Sequence, residues 1–402
     1  MVLFHECFAG NGRGITLKVC AVTTWPPHRD GVALYSSDLY NQIAQRVDLV
    51  VVANTLTQKE LAKSTEKEDD NILRCWRRGP WFLFDVFRSV IKTRSHAVHL
   101  QHGWLLYGGC ISSILFPVLL IFFRLSRKPS VVTIHTVIRK NAQLYKNFVV
   151  NFLARMAILF VIKGIEKFSD SVIVHNPLMT ETLTKEYGTN INKIATIPHG
   201  VKSACNSNEV QKSKEISIMS LGFLRKDKGI TYLIQAFEKF LETCPDAKLI
   251  IVGGSHAHDK KDQSERFKQL LTPHTQKQVL FTGFVNEKQL EQLIWNSDII
   301  VLQSTDPYYV EASGTLATVA DYGKPVVCSK VPKFQSELQS ERHILAVDSS
   351  DSTELAQALA LLMRNEKLRN RLGENLREEM KNRRWSTVAE EHVKLYEQLL
   401  KS

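Results

Sequence analysis

The feature that most constrains this chain is a repeated alternation of short apolar runs with helix-length segments. Six such runs precede residue 200 and six more follow residue 215. The runs are 16–23, 49–53, 97–102, 131–135, 171–174 and 194–198, then 216–221, 248–252, 279–281, 299–302, 325–328 and 344–347. Alternation of strands with helices predicts parallel sheets that are covered by helices on both faces. We therefore expect an α/β protein with two doubly wound, Rossmann-like domains facing a central cleft.

Chain length and one polar break set the expected domain boundaries. A chain of 402 residues suits two domains. The segment 203–214 is polar and poor in large apolar residues, which is typical of a linker. We predict an N-terminal domain over 1–202 and a C-terminal domain over 215–384. Residues 385–402 form a predicted amphipathic helix, which is expected to pack back on the N-terminal domain.

Basic residues are concentrated in the first half of the chain. Positions 1–200 hold 24 Lys or Arg against 14 Asp or Glu, whereas the remaining residues hold 28 against 27. No acidic residue lies between Asp85 and Glu166, an interval that contains eleven basic ones. This pattern predicts a negatively charged partner for the segment. A nucleic acid is disfavoured as that partner, since no aromatic–basic platform or recognition-helix motif accompanies the charge.

Two apolar segments inside this interval predict contact with an anionic membrane surface. Residues 105–123 carry no charge and are followed by three basic residues within 124–128. Their length permits a spanning helix, but two glycines, two serines and Pro117 favour a helix that only touches the lipid interface. The second segment, 148–163, is expected to share that surface.

The cysteines and the first residues favour the cytosol. Seven cysteines are scattered along the chain and none forms a C-x-x-C pair, which is typical of reduced thiols. Residues 1–14 lack the basic-then-apolar order of a signal peptide. We therefore expect a cytoplasmic protein that associates peripherally with the inner face of the membrane.

Residues 311–323 contain the strongest candidate for an anion site. Glu311 precedes Ser313 and Gly314, and a helix-length segment then ends at Gly323. Serine caps helix starts, glycine admits close approach of a ligand, and the free N–H groups of a first helical turn attract phosphate. An ordinary capped helix explains the same residues, so a second anion-binding element is needed to decide.

That second element directly follows the first strand of the same domain. The run 221–230 combines Gly222 with Arg225, Lys228 and Gly229. A glycine turn that bears cations at the carboxyl end of a strand suits a diphosphate. Because the carboxyl ends of parallel strands share one edge of a sheet, the two elements together predict a diphosphate site.

Both segments resemble the retaining, nucleotide-sugar-dependent glycosyltransferases of family four, which have the GT-B fold. Further motifs occur in the order of that family over nearly the whole chain. They are 25–33 with Gly31 in a glycine loop, 131–135, 197–201, 251–254, 281–284 and 323–327. The resemblance implies that the C-terminal domain binds the sugar donor and the N-terminal domain binds the acceptor.

The resemblance also implies catalytic roles for two residues. Glu311 matches the first of two family glutamates and is expected to contact hydroxyl groups of the donor sugar. His135 resembles a histidine that hydrogen-bonds the donor sugar near the reacting carbon. The second glutamate of the family, which accepts hydrogen bonds from the ribose, is replaced by Thr318. We therefore expect altered handling of the nucleotide, because a hydroxyl makes a weaker, uncharged contact.

The diphosphate is expected to lie on Lys228, Arg225 and Gly314. Lys228 matches the phosphate-binding lysine of the family, and Arg225 occupies a less common position for a second cation. Gly314 matches a glycine whose neighbouring N–H groups, here those of Ser313 and Thr315, hold the diphosphate. Cations and a helix start can stabilise the leaving group, so neither a metal ion nor another cofactor is expected.

Less specific signals concern the nucleobase and the acceptor. In such folds, loop contacts near Gly283 and Phe284 usually select the base. His102 and Gly103 end a predicted strand and are candidates for contact with the acceptor. A histidine satisfied in the core or in a loop explains His102 equally well.

The expected activity is transfer of a sugar from a nucleoside diphosphate to a lipid-linked or polysaccharide acceptor, with retention of configuration. One alternative is another enzyme of the GT-B fold, such as a sugar phosphorylase or a nucleotide-sugar epimerase. A catalytically silent protein that binds a sugar nucleotide is the second alternative, which Thr318 suggests.

Overall fold

A computed structural model describes residues 17–61, 69–204, 215–255 and 262–401. Within these residues, two parallel sheets form the centres of two α/β units, which confirms the predicted fold class. Most of the predicted linker 203–214 lies outside the described residues. The N-terminal segment 1–14, from which a cytosolic location is expected, lies outside them as well.

The first unit is built on a seven-stranded sheet. Its strands are β1 Lys18–Thr23, β2 Asp48–Asn54, β3 Ile72–Trp76, β4 Ala97–His102, β5 Ser130–Ile134, β7 Ser171–Val174 and β8 Ile194–Thr196, with the separate short strand β6 Thr136–Ile138. Its helices are α1 Gly31–Ile43, α2 Gln58–Leu61, α3 Phe82–Thr93, α4 Cys110–Leu125, α5 Phe148–Phe168 and α6 Pro177–Glu181. The parallel order β3-β2-β1-β4-β5-β7-β8 brings the loops after β1, β4 and β5 to one edge.

The second unit repeats this plan with six strands. They are β9 Ser217–Leu221, β10 Lys248–Val252, β11 Val279–Gly283, β12 Ile299–Leu302, β14 Val326–Ser329 and β15 Leu345–Val347, with the separate short strand β13 Tyr309–Glu311. The helices are α7 Ile230–Leu241, α8 Ser264–Lys268, α9 Glu287–Asn296, α10 Gly314–Val319, α11 Pro332–Gln335, α12 Ser352–Arg364 and α13 Glu366–Met380. In the order β11-β10-β9-β12-β14-β15, the loops after β9 and β12 are neighbours.

A two-stranded antiparallel ribbon joins the two units at the cleft. Strand β13 pairs with β6 in the register Tyr309–Ile138, Val310–Val137 and Glu311–Thr136. The side chain of Val310 is fully buried in the apolar core of the first unit. The cleft is bridged again where the Arg29 guanidinium lies 4.4 Å from the centre of the Phe284 ring. The loop that precedes α10 is therefore held by both units.

The C-terminal helix α14, Trp385–Lys401, lies against the first unit. Its apolar side contributes Trp385, Val388 and Tyr396 to the core around α1. The chain thus returns to its first unit after the second is complete.

Helices α3, α4 and α5 form one layer of the first unit, in which α4 contacts both neighbours. Helix α4 begins at Cys110, so the apolar segment 105–123 is partly a turn and its helix buries one side on the sheet. Helix α5 is long and apolar enough to cross a bilayer by length and composition, and only 33% of its most apolar stretch is buried. Many large apolar side chains of this layer are solvent-exposed. They are Trp81, Phe84, Ile91, Ile111, Ile114, Leu125, Phe148, Val149, Val150, Phe152, Leu153, Met156 and Phe160.

Candidate active site

The loop after β9 forms the first wall of the site. Gly222 has a φ of +144° and its N–H donates to the Val252 carbonyl. A Cβ atom at Gly253 would lie 2.1 Å from the Gly222 oxygen, so the two turns require glycine to pack this closely. The 3₁₀ turn Lys226–Lys228 follows and ends at Gly229, which has a φ of +60°. Lys228 is thereby placed at the carboxyl edge of the second sheet.

Lys228 is surrounded by charged groups of both signs. Its Nζ atom lies 3.5 Å from an oxygen of Asp227. The neighbouring Lys333 ammonium is the main cause that lowers the pKa of Lys228 to about 8. Burial lowers this pKa further, and the Glu311 carboxylate opposes the shift. Arg225 is more exposed and its Nε donates to Asp227 at 2.8 Å. The cluster has an excess of cations, which suits a diphosphate.

The start of α10 forms the second wall. The Ser313 hydroxyl accepts a hydrogen bond from the Leu316 N–H at 3.2 Å, which makes it the helix N-cap. Gly314 is exposed, and a Cβ there would lie 3.5 Å from His199 Nε2. A Cβ at Gly222 would lie 3.6 Å from a methyl carbon of Thr315. The structure thus brings the cationic loop and the capped helix start together.

Glu311 lies between the two units and both of its carboxylate oxygens are bound. Lys333 Nζ donates to Oε1 at 2.6 Å, and the Thr136 hydroxyl donates to Oε2 at 2.8 Å. Burial alone would raise the pKa of Glu311, but the ammonium groups of Lys333 and Lys228 and these hydrogen bonds lower it to about 2. The carboxylate is therefore ionised and oriented at neutral pH.

His135 follows β5 directly and is the residue before Thr136, so the ribbon brings it close to Glu311. Its Nε2–H donates to Gln101 Oε1 at 2.7 Å, and Gln101 Nε2 donates to the Tyr40 hydroxyl at 2.6 Å. Burial and the neighbouring histidines hold the pKa of His135 well below its ordinary value. With the Nε2–H bound to Gln101, Nδ1 of the neutral ring is an acceptor only, and it lies 3.4 Å from His175 Nε2.

Aromatic rings surround His135 on its buried side. The ring of Tyr35 lies 4.7 Å from that of His135 and 5.1 Å from those of His175 and His199, between centroids. Trp385 of α14 packs on Tyr35 and on His199. Burial lowers the pKa of His175 to about 3 and that of His199 to about 4. The imidazole rings of His135, His175 and His199 are therefore uncharged at neutral pH.

Thr318 is half-buried on α10, and its hydroxyl donates to the Gly314 carbonyl at 2.8 Å. Its oxygen keeps a lone pair for a further contact. Gly283, with a φ of +68°, ends β11, and Phe284 beyond it is partly exposed beneath Arg29. Phe284 therefore lies where the second unit meets Arg29 of the first.

The remaining predicted site residues, Gly31, Gly103 and His102, lie in the first unit. Gly31 begins α1 just after the N-cap Asp30, and a Cβ there would meet no atom within 4 Å among the described residues. Gly103 is half-buried. His102 is 1% exposed and packs between the rings of Trp104 and Phe116. His102 is therefore enclosed by aromatic side chains in the core, and this burial contradicts the expectation that it contacts the acceptor.

Three residues that contact Glu311 or His135 belong to no recognisable sequence motif. Lys333 lies on the four-residue helix α11, Thr136 follows His135, and Gln101 lies inside β4. The available signal was positional, since Lys333 follows β14 at the same sheet edge as Lys228. Among the described residues, no group of three or more His, Cys, Asp or Glu side chains is placed to hold a metal ion.

Two family profiles match consecutive parts of the chain. The one described as Glycosyltransferase Family 4 matches residues 29–204, and the one described as Glycosyl transferases group 1 matches residues 205–379. The chain belongs to the group 1, family four glycosyltransferases. The boundary between the two matches lies between the two sheets of this glycosyltransferase.

Curated relatives of the glycosyltransferase match it over part of its length. An uncharacterized glycosyltransferase of Methanocaldococcus jannaschii is 30% identical over 185 residues, which cover 45% of each chain. A phosphatidyl-myo-inositol mannosyltransferase of Mycobacterium leprae is 28% identical over 171 residues, which cover 42% of this chain and 43% of the relative. The chain spans about half the length of the curated relatives that it matches.

Solved structures share the fold of this glycosyltransferase over nearly its whole length. Sucrose-phosphate synthase of Thermosynechococcus elongatus gives a TM-score of 0.73 at 18% identity, covering 96% of this chain and 99% of that one. HepE of Anabaena, solved in complex with UDP-glucose, gives 0.72 at 14% identity, covering 95% and 100%. These similarities establish the GT-B fold.

Proposed function

We propose that this glycosyltransferase moves a sugar from a nucleoside diphosphate to a hydroxyl group of a lipid-linked or polysaccharide acceptor. The observation that carries the proposal is the meeting of Lys228, the capped start of α10 and Glu311 beside His135. Cations and free N–H groups suit a diphosphate, and an oriented carboxylate suits sugar hydroxyls. The structural neighbour HepE binds UDP-glucose, which supports a nucleotide-sugar donor.

Departure of the diphosphate is the step that the protein stabilises in this proposal. The bond from the sugar carbon to the diphosphate oxygen breaks and a bond to the acceptor oxygen forms. Negative charge then grows beside Lys228 and the N–H groups at Gly314. Membership of the family supports retention of configuration through a loose, oxocarbenium-like transition state. The ribbon between the units helps to exclude competing water.

We further propose that no metal ion is required, because Lys228, Arg225 and the start of α10 supply the positive potential. Acceptor-dependent release of nucleoside diphosphate, measured with and without excess EDTA, tests this. Equal rates are expected, whereas loss of activity that magnesium or manganese restores would contradict it.

The donor and the activity can be tested in two steps. A thermal-shift screen against UDP, GDP, ADP, CMP and dTDP sugars identifies the donor, since a ligand at 100 times its dissociation constant adds about 2.7 kcal/mol of stability. With that donor, Lys228→Ala is expected to raise the barrier to turnover by about 2–4 kcal/mol. Lys226→Ala is the matched control, because Lys226 is exposed on the same 3₁₀ turn. Turnover near the wild-type rate in Lys228→Ala would contradict the assignment.

Two other functions remain distinguishable by the same assay. A sugar phosphorylase or a nucleotide-sugar epimerase would not release free nucleoside diphosphate in an acceptor-dependent way. A silent sugar-nucleotide binder would bind the donor in calorimetry without turnover on membrane extracts. The silent alternative is favoured by one observation, the hydroxyl of Thr318 in place of the second family carboxylate.

We also propose that the enzyme works at the cytosolic surface of an anionic membrane, through the layer α3–α5. Exposed basic side chains lie among its exposed apolar ones, namely Arg88, Lys92, Arg94, Arg127, Lys146 and Arg155. Within the described residues, none of these six forms an ion pair with a carboxylate. Apolar side chains can enter the interface while free cations attract anionic headgroups.

A groove between α3 and α4 supports this part of the proposal. It is lined by Phe87, Arg88, Ile91, Lys92 and Ser126. Such a lining combines two cations with apolar side chains, as a lipid headgroup and its first methylenes require. Sedimentation with anionic vesicles at low salt, and its loss at high salt or with neutral vesicles, is the expected result. Equal binding to neutral vesicles would remove the anionic surface from the proposal. Failure to sediment with anionic vesicles would remove the membrane and leave the transferase.

A further inference from the structure

We propose that Thr136 and Lys333 are positioning residues that orient the Glu311 carboxylate toward the donor sugar, so that both units build the sugar-recognition site. This inference rests on the proposed function. Its basis is the pair of short hydrogen bonds, 2.6 Å from Lys333 to Oε1 and 2.8 Å from Thr136 to Oε2. One donor belongs to each unit.

The second unit holds Lys333 firmly. The residue lies on α11, which follows β14 and contacts β13. Its side chain is only 13% exposed and that of Glu311 is 21% exposed. Water competes little for an ion pair in this position, so the carboxylate is held by the lysine instead of by solvent.

The first unit fixes the other oxygen. Thr136 is the residue opposite Glu311 in the ribbon, and its carbonyl accepts a hydrogen bond from the Trp104 indole at 3.1 Å. The ribbon is anchored by Val310 in the core of the first unit and by the Arg139 N–H, which donates to the Tyr308 carbonyl at 3.0 Å. The Thr136 hydroxyl is thus held at the carboxylate by backbone on both sides.

Each carboxylate oxygen can accept two hydrogen bonds, and each accepts one from the described part of the chain. The remaining acceptor positions are available for sugar hydroxyls. A carboxylate that is held at both oxygens cannot rotate away from them, so a bound sugar does not have to orient it.

The two halves of the donor are therefore recognised differently. Lys228 and the start of α10 belong to the second unit alone, so diphosphate binding does not depend on Thr136. Recognition of the sugar depends on the ribbon, because separation of the units would remove the Thr136 hydrogen bond from Glu311. The nucleotide can bind while the cleft is open. The sugar is recognised only when β6 and β13 are paired and Thr136 contacts Glu311.

Equilibrium binding to the full chain tests this role. The variants are Thr136→Val, which keeps the shape without the hydroxyl, and Lys333→Met, with Thr136→Ser and Lys333→Arg as matched controls that keep a donor. The probes are the pairs UDP with UDP-glucose and GDP with GDP-mannose. We expect affinity for the sugar nucleotide to fall about 5- to 10-fold in Thr136→Val, with affinity for the free diphosphate within about twofold. Lys333→Met should also lower affinity for the diphosphate, because Lys333 lies beside Lys228, but it should lower affinity for the sugar nucleotide more.

The outcomes separate this role from the proposed function. If the wild type binds a sugar nucleotide and both variants bind it equally well, or lose sugar nucleotide and diphosphate alike, the positioning role is overturned. If the wild type binds neither pair, the sugar nucleotide that the thermal-shift screen identifies and its free nucleotide replace them; if no sugar nucleotide of the screen binds, the proposed function fails and this role fails with it. Recovery in Thr136→Ser but not in Thr136→Val, at an unchanged melting temperature, would support the role even if Lys333→Met did not fold.

Discussion

Replacing Phe148 and Leu153 by serine removes two exposed apolar side chains from the first turns of α5. Phe148 is 83% exposed and Leu153 is 60% exposed. Neither side chain contributes to a core cluster among the described residues, so folding is expected to be unaffected. If α5 enters the membrane interface, the double variant should bind vesicles much more weakly.

The size of the effect follows from the exposed fractions. Complete burial of a Phe or Leu side chain contributes about 1.5–3 kcal/mol. The exposed fractions of Phe148 and Leu153 together correspond to nearly one and a half side chains. Their removal should weaken partition into the interface by about 2–4 kcal/mol, or about 30- to 1000-fold.

The assay is co-sedimentation of the purified full chain with vesicles that contain anionic lipid, titrated over lipid concentration. Leu280→Ser is the matched control for Leu153→Ser, because Leu280 is 56% exposed on β11 of the other unit. Leu153→Ser alone should weaken binding about 5- to 20-fold and Leu280→Ser should not. Binding of the double variant within about twofold of the wild type would refute insertion of α5. An equal loss in Leu280→Ser would show that the effect is not local to α5.

Three further predictions concern the cleft. Because the pKa of Lys228 is about 8, affinity for UDP or GDP measured by calorimetry should fall as the pH rises from about 7 to 9 and the ammonium is lost; a decline that begins only near pH 10 would contradict this. Thr318→Glu should tighten nucleotide binding by about 3- to 10-fold if the position faces the ribose, and weaker binding would place the ribose elsewhere. Gln101→Leu should lower kcat about 10- to 100-fold with the donor Kd within about twofold, because His135 loses the partner that orients it; an unchanged kcat would show that this hydrogen bond is not needed for catalysis.

The parallel sheets were predictable because each buried strand is a continuous apolar run between helix-length segments. Strand β3 was not predicted, because Arg74 interrupts its apolar pattern. The Arg74 guanidinium donates to the backbone carbonyls of Pro26 and Asn54 at the sheet edge. The ribbon β6–β13 was not predicted from the sequence for another reason. Its strands are three residues long, and the paired residues Thr136 and Glu311 are 175 positions apart, so neither carries a local signal.

The site also combines residues with a local sequence signal and residues that only tertiary contacts bring together. Ser313 and Gly314 follow from helix-capping chemistry within a few neighbouring residues, which a sequence displays directly. Lys333 reaches Glu311 across 22 positions and from a helix of four residues, so only the sheet order reveals that they are close. Burial of His102 also depends on tertiary packing, since a histidine at a strand end looks the same whether its neighbours cover it or leave it open.

The position of α14 has a consequence for synthesis of the protein. Tyr40 of α1 packs in a core that Trp385 and Tyr396 complete. A ribosome that adds about 5–20 residues per second takes roughly 10–40 seconds to pass from the end of the first unit to these two residues. During that interval the face of α1 that receives them is uncovered. The nascent first unit is therefore expected to depend on chaperones more than the second, which encodes its own core without interruption, and premature termination before Trp385 would leave an aggregation-prone product although every strand of both sheets had been made.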